Sequence, residues 1–334
     1  MKNTVVNGRV LNGRKNGVWR YTYEICKILG SSLEIVTPSE NLHGVRGHYW
    51  DQVEILRHAK NKSLWSPANS GPIIKRKDHI ITIHDVAFFE NPSWFNKKYR
   101  QYYSFMTPKV AKNCEKILTV SEFSKSRIAH YCKISEDKIA VVPNGIGDVF
   151  FNLLDGCNPH EKPYILSVGS FSPQKNLESL LRAWKILKSD FRDIDLIIVG
   201  ADSSATNSTF QRVNDSSIVF KSQISDKELA KLYSNALLFV YPSIYEGFGL
   251  PILEALACGC PTLACSGTAA EDLGLNGVEF IDMRKVEDIV ESVRDRIENS
   301  DSYKVKSRLA SAAVKSFTWE RCAASTFKII EGNK

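Results

Sequence analysis

Short apolar runs rich in β-branched residues alternate with longer helical patterns along nearly the whole chain, and this alternation restricts the fold more than any other feature. In the first half the runs are TVVNGRV from Thr4, LEIVT at 33–37, IITIHD at 80–85, KILTVS at 116–121 and KIAVVP at 138–143. Helical patterns fill 17–30 and 96–114. The second contains Pro108, which lacks a backbone donor and is expected to kink or divide it. A polar Gly/Pro stretch at 155–163 reads as a linker. A new series follows, with runs YILSVGS (164–170), DLIIVG (195–200), SIVFKSQI (217–224) and LLFVYPS (237–243) and helical patterns at 176–189, 226–236 and 250–259.

Two such series predict two doubly wound α/β domains with parallel strands, spanning 1–155 and 156–315, with a last helix in 316–334. The 334 residues, 43% of them hydrophobic, suffice for two cores. No run reaches the roughly 18 apolar residues of a membrane span. The N-terminus lacks an apolar run between a basic head and a cleavage site, so a cytoplasmic location is expected. Eight cysteines (Cys26, Cys114, Cys132, Cys157, Cys258, Cys260, Cys265, Cys322) show no C-x-x-C pair, which points to reduced thiols rather than zinc or disulfides. Residues 1–150 hold 23 Lys and Arg against 13 Asp and Glu, a net +10, whereas the rest carries −3. A basic half suits nucleic acid, an anionic membrane or a phosphorylated substrate, and no recognised nucleic-acid motif supports the first.

Ligands of open parallel sheets gather at the carboxyl ends of the strands, so the residues following each run matter most. Among these segments Tyr241–Pro261, YPSIYEGFGLPILEALACGCP, is the most informative. It reads as a buried strand, a glycine-bearing loop, and a helix that starts near Pro251 and stops at Gly259. Such a loop delivers backbone N–H groups and about +0.5 charge to one point, an anion site flanked by Glu246 in the loop and Glu254 on the first helical turn.

The Glu246/Glu254 pair with GFGLP between them resembles the signature of retaining glycosyltransferases of family 4, whose GT-B fold is two facing Rossmann-like domains with a cleft between them. Further segments are similar to that family: PYILSVGSFSPQKNLESLLRAW (163–184), VSEFSKSRI with KIAVVPNGI (120–146), TIHD (82–85), NGVWRYTYEI (16–25) and FTWERCAASTFKII (317–330). The last looks like the family's closing helix, which returns to the N-terminal domain. The resemblance implies a nucleotide-diphosphate sugar held by the C-terminal domain, an acceptor held by the N-terminal domain, and transfer with retention and without metal or cofactor. It assigns Glu254 to ribose hydroxyls, Glu246 to sugar hydroxyls, the backbone of Gly247, Phe248, Gly249 and Leu250 to sugar or phosphate oxygens, and the neighbourhood of Gln223 and Ile224 to the base. Lys175 would meet the charge that grows on the leaving diphosphate, with Ser170 beside it, and His84 would stand next to the transferred sugar. Asn144, with Gly145, would shape the floor of the cleft, and Gly17 would admit a close backbone approach.

An arginine common in the family at Ser170 or Gln174 is missing here, so Arg9, Arg14 and Arg20 are candidate replacements. Asp85 would fix the tautomer of His84 or cap the next turn. Asp193 and Asp195 form a D-x-D, but ahead of their strand, and are expected to be surface turn residues. GIGDVF and GFGLPI lack the third glycine of a dinucleotide fingerprint. The loop and the NGR start look like bacterial O-antigen mannosyltransferases, which favours GDP-mannose over UDP-glucose, UDP-GlcNAc or dTDP-rhamnose. The acceptor expected is a glycan or a polyprenyl-diphosphate-linked glycan, at an anionic inner membrane face to which the basic aromatic helix at 96–114 would turn. The competing reading is a catalytically silent nucleotide-sugar binding module of the same fold.

Overall fold

A computed structural model describes residues 4–151, 160–201, 206, 207 and 210–332. Among the described residues twelve strands form two six-stranded sheets, and every strand pair in them is parallel. The first sheet holds β1 (Thr4–Asn7), β2 (Glu34–Val36), β3 (Ser63–Ser66), β4 (His79–Thr82), β5 (Lys116–Thr119) and β6 (Ile139–Val141), in the order β2-β1-β3-β4-β5-β6. The second holds β7 (Tyr164–Val168), β8 (Asp195–Val199), β9 (Ile218–Lys221), β10 (Leu238–Tyr241), β11 (Thr262–Cys265) and β12 (Val278–Ile281), in the order β12-β11-β10-β7-β8-β9. In each sheet the order reverses once, at β1/β3 and at β7/β10, and connections leave these strand pairs in opposite directions.

The chain divides into two compact units, one of Met1–Pro92, Lys97–Gly145 and Phe317–Lys334, the other of Ser93–Asn96 and Ile146–Ser316. The crossing therefore lies at Gly145/Ile146, ahead of the expected 155/156. Packing explains the shift. Phe150 is fully buried, its ring lies 6.2 Å from that of Tyr233, and its carbonyl accepts from Cys258 Sγ at 3.3 Å, so the second unit claims the segment before the polar stretch begins. Most of that stretch, with Cys157, lies outside the described residues.

In the first unit the helix Gly17–Leu29 lays Tyr21, Ile25 and Cys26 against Val6, Trp65, Ile80 and Leu118 of the sheet. The closing helix, Trp319–Glu331, adds Trp319, Cys322, Ala323 and Ile330 to the same core. Val5 and Leu64 face the other way, onto Trp50, Ile55 and Ala59. The second unit buries Leu180, Trp184 and Leu187 of the helix Leu177–Leu187 on Ile165, Leu196, Ile198 and Val240. Three strands, β3, β11 and β12, each of four residues, have no counterpart among the runs expected from the sequence. Pro108 neither divides nor ends its helix, which runs Lys97–Asn113 as one element. The lost bond would have gone to the carbonyl of Ser104, a partly exposed residue whose side of the helix water can reach.

Gly145 answers to this packing. A Cβ there would lie 2.2 Å from the backbone nitrogen of Trp319, where the closing helix begins. Gly145→Ala is therefore expected to destabilise the first unit by about 1–3 kcal/mol, measured as a lower unfolding midpoint in urea with an unchanged slope.

Candidate functional site

The reversal at β7/β10 brings together two loops far apart in sequence. After β7 the chain passes through Gly169–Ser172 into a 3-10 turn, Pro173–Lys175; after β10 it runs from Pro242 to Gly249 into the helix Leu250–Ala257. The Ile244 N–H donates to the Gln174 carbonyl at 2.9 Å and ties the two loops together. Four side chains then converge. Lys175 Nζ donates to Tyr241 OH at 2.9 Å and forms an ion pair with Glu246 Oε1. The same oxygen accepts from Tyr241 OH at 2.7 Å and from Ser243 Oγ at 2.5 Å. Lys175 is thus held by a carboxylate and a phenol, with its side chain 18% exposed. Burial, and then the Glu246 charge, push the Tyr241 phenol well above its ordinary range, so it stays protonated.

Glu254 is the fifth residue of its helix, not a first-turn residue as expected, and no acid stands in that turn. It cannot cap the helix from there. It is 5% exposed, and Tyr233 OH donates to its Oε2 at 3.5 Å. The helix starts from Gly249 at φ 97°, a left-handed backbone that an L side chain rarely adopts. It stops as the sequence suggests: Gly259 has φ 68°, its N–H donates to the Leu256 carbonyl and that of Cys260 to the Ala255 carbonyl, both at 2.9 Å. Gly247, the buried Phe248 and Leu250 line the same loop and helix start. Ser170 Oγ lies 2.8 Å from Ser172 Oγ beside Lys175. Gln223 and Ile224 follow β9 at the same edge, Gln223 exposed and at φ 57°.

The remaining candidates belong to the first unit. His84, just past β4, is 9% exposed, and its ring meets that of Tyr21 edge-on at 4.7 Å. Burial lowers its pKa to about 4, so the imidazole is neutral at ordinary pH. Its Nε2 lies 2.9 Å from the Pro67 carbonyl, which can only accept, so the proton sits on Nε2. Pro67, not Asp85, sets this tautomer; Asp85 Oδ1 accepts from the Ala87 N–H at 3.0 Å. Asn144, 7% exposed after β6, leaves its Oδ1 without a partner among the described residues. Gly17 is exposed at the start of its helix, with no atom within 4 Å of where a Cβ would stand.

Arg9 is not a spare cation. Its guanidinium holds Asp51 in a two-point pair, Nε to Oδ1 at 2.9 Å and Nη2 to Oδ2 at 2.7 Å, while Asn7 and Ser70 donate to the same carboxylate. Arg14 and Arg20 also have partners. Asp195 is not a surface turn residue. It opens β8, is 5% exposed, and lies 2.6 Å from His160 Nε2 and 3.6 Å from Lys162 Nζ. Asp193 is exposed. Burial raises Cys26, Cys114, Cys132, Cys258 and Cys322 to about 12, which keeps them thiols. Among the described residues no group of three or more His, Cys, Asp or Glu could share a metal ion, and no helix is long and apolar enough to cross a membrane.

The family models match each unit separately: that of glycosyl transferases group 1 covers residues 156–315 and that of Glycosyltransferase Family 4 covers residues 46–148. The chain belongs to glycosyltransferase family 4. This family 4 chain is 31% identical over 239 residues to the O-antigen chain mannosyltransferase RfbU of Salmonella typhimurium, a match covering 70% of the chain and 64% of that protein. It is 28% identical to the O-antigen chain mannosyltransferase B of Escherichia coli, over 74% of the chain and 68% of that protein. The chain thus spans slightly less than two thirds of the first relative's length. Among solved structures, WaaG, a glycosyltransferase involved in lipopolysaccharide biosynthesis, superposes with a TM-score of 0.76 at 16% identity over 98% of this chain and 99% of that one. The likeness shows the fold, GT-B.

The neutral state of His84 has a consequence for pH. A histidine whose folded pKa lies near 4 and whose ordinary value is 6.5 takes up a proton on unfolding, so stability present above pH 6.5 declines as the pH falls toward about 4. The His84 ring signals in NMR are expected to stay flat from pH 8 to 5.5, and His84→Gln to remove part of the acid-side loss of stability.

Proposed function

We propose that this chain is a retaining, metal-independent hexosyltransferase that takes a nucleotide-diphosphate sugar, with GDP-mannose favoured. The observation that carries the proposal is the Lys175/Glu246 pair at the strand reversal of the second sheet, beside a helix that starts at Gly249. A diphosphate leaving group gains negative charge as the bond from the anomeric carbon to its oxygen breaks. A lysine ammonium and a helix N-terminus are positive groups that stabilise that charge more in the transition state than in the bound donor. Glu246 and Glu254 bond sugar and ribose hydroxyls, since one carboxylate can accept from two neighbouring hydroxyls. The acceptor oxygen bonds to the anomeric carbon on the face the phosphate leaves, and its proton passes to the departing diphosphate. No side chain need act as the base, and a neutral His84 contributes hydrogen bonding rather than charge. The names of the curated relatives support mannose as the sugar and a surface polysaccharide as the product.

Two measurements test this reading. In thermal shift with EDTA present, GDP at a hundred times its dissociation constant is expected to stabilise the protein by about 2.7 kcal/mol, more than UDP, dTDP, ADP or CMP at equal concentration. Glu254→Ala should weaken nucleotide binding roughly 10- to 100-fold, and Lys175→Ala should lower turnover more than binding. Equal affinity for all nucleotides, or none, would remove the assignment. A donor shift with no transfer to any lipid-linked or free glycan would favour the silent binding module.

The acceptor reading extends to an anionic membrane face. The helix Lys97–Asn113 carries five Lys and Arg and no acid, and Phe105 on it is 58% exposed with Lys109 Nζ 3.6 Å from its ring centroid. Vesicles with anionic lipid are expected to pellet the protein at low salt, and neutral vesicles not to. Phe105→Ser combined with Lys109→Glu should abolish the difference.

A further inference from the structure

We infer that Tyr241 is a positioning residue of the donor half, one that keeps Glu246 aimed while Lys175 exchanges partners. This rests on the reading of the second unit as the donor half. Tyr241 ends β10, is 2% exposed, and stacks its ring on that of Phe239 at 5.7 Å, so its hydroxyl has little freedom to move. The hydroxyl joins both charged groups: it accepts from Lys175 Nζ at 2.9 Å and donates to Glu246 Oε1 at 2.7 Å. Lys175 Nζ also lies 5.2 Å from the centroid of the Tyr241 ring, which favours a cation on that side.

The arrangement on Glu246 is one-sided. Lys175, Tyr241 and Ser243 all reach Oε1, whereas Oε2 has no donor among the described residues. A carboxylate saturated at one oxygen and open at the other offers a hydrogen-bond acceptor in one direction, which is what recognition of a sugar hydroxyl needs. Lys175 bonds Tyr241 and Glu246 and so keeps one of its three N–H donors uncommitted.

When a diphosphate arrives, the ammonium has a stronger anion to meet than the carboxylate it already holds. Without a second anchor Glu246 would lose its orientation as Lys175 turned away. The Tyr241 hydroxyl, with Ser243 Oγ, leaves Oε1 satisfied and the carboxylate plane fixed. Because burial keeps the phenol protonated, its donor role does not lapse at working pH.

Tyr241→Phe removes the hydroxyl and keeps the ring. Steady-state kinetics of the full chain with its nucleotide sugar are expected to show kcat reduced roughly 10- to 100-fold and the donor KM changed less than about threefold, since the nucleotide supplies most of the ground-state binding. The thermal-shift response to GDP should be kept. Ser243→Ala is expected to show the same split with a smaller loss of kcat, which provides a second reading should the Phe variant fold poorly. A kcat for Tyr241→Phe within twofold of wild type, or a loss shared equally by kcat and nucleotide affinity, overturns the positioning role. Wild-type protein that neither binds a nucleotide nor transfers sugar removes the donor reading itself, and that outcome is distinct from either variant result.

Discussion

The parallel pairing of β10 with β7 is the constraint on which the rest of the second unit depends. Parallel neighbours cannot be joined by a hairpin, so some seventy residues of helix and strand intervene between the two, and their carboxyl ends come side by side only because the sheet reverses its order there. The meeting of Lys175 with Glu246 follows from that adjacency. Lys175 leaves one loop, Glu246 the other, and the backbone bond between Ile244 and Gln174 sets the distance between them. Had β10 paired at the outer edge, the same residues would be a solvated lysine and a solvated glutamate.

The first unit uses charge differently. Its sheet also reverses, at β1/β3, and there too a cation and a carboxylate meet, but Arg9 and Asp51 saturate one another with help from Asn7 and Ser70. A carboxylate with both oxygens occupied stabilises a loop and offers little to a ligand, whereas Glu246 keeps one oxygen open. Burial does the opposite work on His84, holding it neutral. Part of the net +10 of residues 1–150 lies on the helix Lys97–Asn113, which carries five Lys and Arg and no acid.

Much of this was legible in the sequence, for identifiable reasons. Long apolar runs with strong flanks, such as YILSVGS and LLFVYPS, became β7 and β10, and the Pro251/Gly259 punctuation marked a real helix with its left-handed stop. The strand SLWS at 63–66 was not legible: it gains its stability from neighbours on both sides, which no local pattern records. Contacts across long separations were equally hidden. The sequence places Asp195 ahead of its strand but cannot show that His160 and Lys162 bury it, nor that Gly145 is small because a helix some 170 residues later presses on it. Tyr241 escaped notice because a tyrosine ending a buried strand has an ordinary apolar explanation, and only the geometry shows where its hydroxyl points.

The two glutamates differ in how they are held. Glu254 projects from the second turn of a helix buried on most sides, so its position is set by rigid backbone. Glu246 sits in an irregular loop and owes its direction to three side-chain donors drawn from both strands of the reversal. A carboxylate oriented by side chains can be re-aimed by exchanging one of them while the fold stands unchanged.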